Sequence, residues 1–193
     1  MFHRAAVFSL LCLLPVAAAA RDLGPITGFS ANAGPNDPYT DSADPASGSG
    51  PLRISYGPGH VVVIPNDPQL VLHAWPQGQQ TDFDDLQLAP DHRTLGWLAD
   101  YMACAQSYPC ALDLVIFRNG KILRAFTPEY GIFWGWQFRA GGAQVAVQYG
   151  FPHGDNTGAY KLYDVASGKM LQEYNGTGTA PDWVRNFRDP LDP

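Results

Sequence analysis

The feature that most limits what this chain can fold into is a tandem recurrence. A segment from about Phe83 to Phe126 is followed by a second with the same grammar, from Phe133 to Tyr174. Leu86-x-Leu88 matches Trp136-x-Phe138, and Leu95-Gly96-Trp97 matches Val145-Ala146-Val147. Asn119-Gly120-Lys121 matches Ser167-Gly168-Lys169. Leu95 and Val145 are 50 residues apart and Gly120 and Gly168 are 48 apart, which places a length change in the loop before the third strand. Each copy divides into short apolar runs punctuated by Gly, Pro, Asn and Ser. Asn119-Gly120 between Leu112–Phe117 and Ile122–Phe126 is a strong hairpin signal, because both turn residues tolerate positive φ. No stretch carries a long apolar stripe at helical spacing, and only Asp182–Phe187 suggests a short helix, with Asp182 as its cap. A period of roughly 40–50 residues holding four short antiparallel strands describes a blade-like unit, so the expected class is all-β.

Two blades do not close a propeller, which has about four to eight. Residues 51–82, with the strand candidates Val61–Ile64 and Leu70–Leu72, supply material for a third, degenerate sheet. Three architectures follow: a sandwich closed on itself, which we prefer, a partial propeller completed in a homodimer, or a fragment recruited by another protein. The remainder of the chain reads differently. Met1–Ala20 has a short positive start (His3, Arg4), an apolar run from Ala5 to Val16, and small residues at its end. That is the grammar of a secretory signal peptide, too short to span a bilayer. Its removal would leave 173 of the 193 residues, a formal charge of −7 and no membrane span. Residues 21–50, rich in Ser, Ala, Asn, Asp, Gly and Pro from Ser30 onward, are expected as a flexible linker. The β-repeat domain then runs over 51–187, and 188–193 form a tail. A secreted or periplasmic chain with two remaining cysteines, Cys104 and Cys110, is a disulfide candidate. The acidic balance excludes a nucleic-acid binder, which needs a basic stripe.

The local wording of the two copies also resembles a known family. Leu86-Gln87-Leu88-Ala89-Pro90-Asp91-His92-Arg93-Thr94-Leu95 resembles the Ser-Pro-Asp-Gly-Arg stretch of PD40/WD40-like repeats, as in TolB-type β-propellers. Tyr163-Asp164-Val165-Ala166-Ser167-Gly168-Lys169-Met170-Leu171 resembles the Asp-x-x-Ser/Thr-Gly-Lys hairpin that closes such blades. His92 stands where that pattern has Gly, and Gly141-Gly142 replace Pro-Asp-Gly in the second copy. The resemblance spans about 90 residues and implies fold, not ligand.

Residues suited to chemistry are few. There is no His-x-x-x-His, no second Cys pair and no Gly-x-Ser-x-Gly, so no metal, cofactor or catalytic constellation is assigned. Asp82-Phe83-Asp84-Asp85 gathers three carboxylates but lacks an EF-hand pattern. Asp100 is expected to pair with Arg118 or Arg124. Aromatics are the most suggestive group: Tyr130–Trp136 is dense in them, and Trp97, Tyr101, Tyr108 and Tyr149 fall near strand ends. Such rings either fill a small core or form a platform for a glycan or peptide. The ligand-contact candidates are Tyr108, Trp134, His153 and Asp155. The expected function is an exported, non-enzymatic binding or structural module that meets a protein or cell-envelope ligand. The alternative is a secreted hydrolase built on His153, Asp155 and Asp100.

Overall fold

The computed structural model describes residues 22–30, 48–57, 59–64, 80–101, 110–153, 158–185 and 187. Twelve strands run through them: β1 Ile26–Ser30, β2 Gly48–Ser49, β3 Leu52–Tyr56, β4 His60–Ile64, β5 Gln80–Leu88, β6 Thr94–Tyr101, β7 Cys110–Arg118, β8 Lys121–Phe126, β9 Ile132–Arg139, β10 Gln144–Gly150, β11 Ala159–Asp164 and β12 Met170–Tyr174. They make three antiparallel sheets, ordered β1-β3-β4, β2-β5-β6-β7-β8 and β12-β11-β10-β9. The class is all-β, and each repeated segment is a four-stranded meander.

The sheets stack in layers with the five-stranded one in the middle. One apolar core lies between it and the three-stranded sheet, joining Ile26, Leu52, Ile54 and Tyr56 to Phe83, Trp97, Val115 and Phe117. A second lies on its other face, joining Leu98, Leu114, Ile116 and Phe126 to Phe133, Trp136, Val145, Val147 and Tyr149. This sandwiching explains why Leu112–Phe117 is an almost unbroken apolar run rather than an alternating one: both faces of β7 are covered. The exception, Asp113, is buried but satisfied. Tyr101 Oη donates to its Oδ2 at 3.0 Å, and Thr127 Oγ1 donates to its Oδ1 at 2.7 Å. The far face of the third sheet carries the C-terminal segment. Trp183 Nε1 donates to Gln172 Oε1, Arg139 donates to the Trp183 and Arg185 carbonyls, and Phe187 packs on Tyr160.

The two meanders share register. Leu88 pairs with Leu95 as Phe138 pairs with Val145, and Gly96 pairs with Gln87 as Ala146 pairs with Gln137. In the third strand Phe117 and Tyr163 occupy the same place, only 46 residues apart, opposite Leu95 and Val145. The length change is therefore split: the second copy is four residues shorter before its third strand and two longer in its closing turn.

The turns explain the local wording. Asp91 Oδ1 accepts the amides of Arg93 and Thr94, and its Oδ2 accepts the Thr94 hydroxyl. His92 stands at φ 53°, in the left-handed region where Gly costs nothing. The second copy reaches the same reversal through a 3-10 turn, Ala140–Gly142, with Gly141 and Gly142 at φ 66° and 96°. Asn119 and Gly120 both have positive φ, as a two-residue hairpin demands. Asp164 Oδ1 accepts the amide and hydroxyl of Ser167, and Gly168 at φ 71° completes that turn. Arg124 of β8 reaches across to donate to the Val165 and Ala166 carbonyls, tying one meander to the next.

Three expectations are corrected. The stretch 21–50 is not linker throughout: Ile26–Ser30 is β1 and Gly48–Ser49 is β2, while 31–47 lies outside the described residues. Ile26 N–H donates to the His92 carbonyl, and Asp22 pairs with Arg93 at 2.9 Å, so this segment draws its order from partners remote in sequence. Asp182–Arg185 forms turns rather than a helix, because the segment satisfies its carbonyls by reaching Arg139. Asp100 does not take Arg118 or Arg124 as its partner: Arg118 lies 3.5 Å from Asp91, and Arg124 is committed to the carbonyls above. The segments 1–21, 65–79 and 188–193, with the expected signal peptide, the Leu70–Leu72 strand and the tail, lie outside the described residues.

Candidate functional site

The aromatic-rich stretch between the meanders divides by the pleat of β9. Phe133 and Trp136 face inward and are buried in the second core, and Ile132 is buried in the first. Trp134 is half-buried at a bulge in the β9–β10 pairing and packs against the first core. Tyr130, just before β9, stays 43 % exposed, and Phe151, just after β10, is 65 % exposed. Their ring centroids are 5.1 Å apart with planes inclined at 30°, and Tyr130 also meets the buried Tyr149 edge-on at 5.2 Å. The result is a small aromatic shelf at the end of the third sheet where β9 begins and β10 ends.

Its mounting is tightly packed. Gly131 adopts φ 70°, and a Cβ there would lie within van der Waals overlap of the Gly150 carbonyl oxygen. The chain entering β9 thus crosses the end of β10 too closely for any side chain. A Cβ on Gly150 would stand 3.2 Å from Trp134 Nε1, so Trp134 backs the shelf from the other side. Tyr130 and Phe151 flank this crossing, with the buried Tyr149 packed against Tyr130.

Beside the rings lies a charged group that the sequence pattern did not reveal. Lys161 of β11 points inward, opposite Val147 and Glu173, and its side chain is 8 % exposed. Its Nζ donates to Glu129 Oε2 at 2.6 Å, stands 3.7 Å from Glu173 Oε1, and sits 5.2 Å over the Tyr149 ring. Burial alone would pull this ammonium down. Its hydrogen bonds to Glu129 and Tyr149 outweigh that and hold it above the ordinary lysine range. The same hydrogen bond, with the attraction of the ammonium, keeps Glu129 below the usual carboxylate range. The cation is therefore hidden while both carboxylates face outward, Glu129 being 67 % and Glu173 47 % exposed. Lys161 escaped the sequence reading because an alternating strand predicts its face but not its cross-strand neighbours.

Of the ligand-contact candidates, the structure brings Trp134 to this shelf and leaves His153 exposed two residues beyond Phe151. Tyr108 and Asp155 lie outside the described residues, as does Cys104; Cys110 is buried at the first position of β7, opposite Tyr101. Trp97, Tyr101 and Tyr149 are core residues.

A separate carboxylate row lies on β5 and β6. Asp82 pairs directly with Asp100, and Asp84 follows on the same face. Burial, then the charges of Asp84 and Asp82, raise Asp100 well above the ordinary carboxylate range. Asp85 is turned away by the bulge at φ 50°, where its carboxylate accepts from Gln87 Nε2. Among the described residues no group of three or more His, Cys, Asp or Glu is placed to hold a metal ion, and no helix is long and apolar enough to cross a membrane.

No protein-family model matches the chain, and no curated protein matches it significantly.

Proposed function

We propose that this chain is an exported, non-enzymatic binding module built from propeller-like repeats of the PD40/WD40 kind, with the Tyr130–Phe151 shelf as its contact surface for a protein or cell-envelope ligand. The observation that carries this reading is the shelf itself: two large exposed rings held out by a backbone crossing that admits only glycine. A small domain that needed these rings for its own stability would bury them, and aromatic rings on rigid mounts are what interfaces use as anchors. Supporting the repeat reading, the Asp91 and Asp164 turns use the aspartates of the two resembling motifs for the same purpose, capping backbone amides at a reversal.

Export is supported by the composition of Met1–Ala20 and by the cysteines. Cys104 and Cys110 are the two cysteines that remain once Met1–Ala20 is removed, and we assign them to a short cross-link at the head of β7. The intact exported protein should gain the mass of two hydrogens on reduction, and an unchanged mass refutes the assignment.

The binding role is tested by presenting the purified protein to arrays of short peptides and of oligosaccharides. Saturable binding that is lost in Tyr130→Ser/Phe151→Ser, with the melting temperature unchanged, is the expected result. Binding indifferent to that double substitution overturns the placement of the site. Hydrolysis of a presented compound that disappears in His153→Ala supports the hydrolase reading instead.

A further inference from the structure

We infer that the aromatic shelf recognises a cationic side chain, an arginine or lysine on a polypeptide partner, rather than a neutral sugar or an acidic segment. This rests on the binding role proposed above and adds the chemistry of the partner. Two independent features converge on it. The first is the pair of exposed rings, whose π faces attract a cation within about 6 Å of the ring centroid. The second is the distribution of charge beside them. Glu129 directly precedes Tyr130 in the chain, and Glu173 flanks the same lysine from β12. One buried ammonium lies between two exposed carboxylates, so the accessible side of the cluster is anionic. The chain already demonstrates the arrangement internally: Lys161 sits over the Tyr149 ring and hydrogen-bonds Glu129. An incoming guanidinium would repeat it one layer further out, stacking on Tyr130 or Phe151 while donating to the outward oxygen of Glu129. An anionic ligand would meet two exposed carboxylates, with the Lys161 ammonium between them hidden. A neutral sugar would gain the ring faces but would make no use of the uncompensated charge.

The acidic balance of the whole chain, −6 over 193 residues, favours encounter with a basic segment over long range. Lys161 also gives Glu129 a fixed position, so little side-chain ordering remains to be done on binding.

The test uses the full mature protein and a short Gly-Ser peptide carrying two arginines. Its controls are the same peptide with citrulline, which keeps the shape and removes the charge, and with glutamate. Calorimetric titration at low and at physiological salt should show the arginine peptide binding about tenfold or more tightly than the citrulline form, with the margin shrinking as salt rises. Glu173→Gln, which leaves the Glu129–Lys161 pair in place, should narrow that margin, and Glu129→Gln/Glu173→Gln should remove it when titrated well below that variant's own, lowered melting temperature, since it strips the buried Lys161 ammonium of both carboxylates. Equal binding of arginine and citrulline peptides, or indifference to the Gln substitutions, overturns the inference. Oligosaccharide or neutral-peptide binding that still depends on Tyr130 and Phe151 would then leave the binding role standing. Loss of shelf-dependent binding to every probe would remove both.

Discussion

Gly96 lies at the centre of the middle sheet, and the indole of Trp136 rests directly on it. A Cβ built at Gly96 stands about 2.4 Å from Trp136 Cη2 and 3.0 Å from both Cζ2 and Cζ3. Ordinary carbon contacts need about 3.5–4.0 Å, so Gly96→Ala must drive the ring back by roughly 1 Å or more. The ring has nowhere to go. It is buried against Val147 in the second core, and its Nε1 donates to the Asp85 carbonyl at 3.0 Å. The Trp136 carbonyl is itself held by Gln87 Nε2 at 2.9 Å. Overpacking costs about 1–3 kcal/mol, and loss of the indole hydrogen bond adds about 1 kcal/mol. Replacing Gly by Ala in a strand returns about 0.5–1 kcal/mol through reduced unfolded-state entropy. The net expectation is a loss of about 1–3.5 kcal/mol, which for a body of this size lowers the melting temperature by roughly 3–12 °C. Urea unfolding followed by tryptophan fluorescence measures it. A double-mutant cycle identifies the cause: with Trp136→Leu in place the clash is gone, so the two substitutions should couple by about 2 kcal/mol. A Gly96→Ala protein within about 0.5 kcal/mol of wild type, or an additive cycle, refutes the account. The corresponding residue of the second meander, Ala146, carries its Cβ while fully buried.

Other consequences follow from particular residues. His92→Gly should stabilise the protein by about 0.5–1 kcal/mol, read as a higher urea midpoint, because it relieves a left-handed residue in an exposed turn; a lower midpoint contradicts this. Asp100 binds its proton more tightly folded than unfolded, so it contributes a penalty that is absent below the unfolded value near 3.8 and grows as pH rises toward the folded one. Asp100→Asn should therefore gain on wild type as pH rises above about 4 and show no gain near pH 3, and a pH-independent difference in unfolding free energy would count against the buried-row explanation. Asp91 has the opposite sign. Burial would raise it, but the Arg93 amide, the Thr94 hydroxyl and amide, and Arg118 outweigh this and lower it. Its stabilisation is present above the ordinary value and lost as pH falls through the folded one, so Asp91→Ala should flatten the acid limb of the stability profile. Arg124→Ala should speed amide hydrogen exchange at Gly168 and cost about 1 kcal/mol, since two carbonyls of the next meander's turn lose their donor.

The sequence by itself determined the period and, within the two meanders, the strands and their turns. Those are local matters: Asn119-Gly120 can hardly do anything but reverse the chain, and the apolar, β-branched Leu112–Phe117 run reads as a strand, though that both its faces are covered is a tertiary fact. It also singled out the aromatic stretch Tyr130–Trp136, though not which of its rings stay exposed. The tertiary structure decided that question, because Phe133 and Tyr130 differ only in what stands opposite them. The former meets Tyr149 across the ladder, and the latter sits beyond the last pair. It decided as well that 26–30 is a strand, since an edge strand of five residues owes its order to the sheet that receives it. The Glu129–Lys161–Glu173 group was unreadable for the same reason. Its members are 32 and 12 residues from their common lysine, and only the antiparallel register of β11 on β12 and the crossing at Gly131 bring them together. Residue identity and spacing along the chain set which backbone shapes are cheap. Which charges meet, and which rings are left facing water, depends on contacts between elements that no local pattern records.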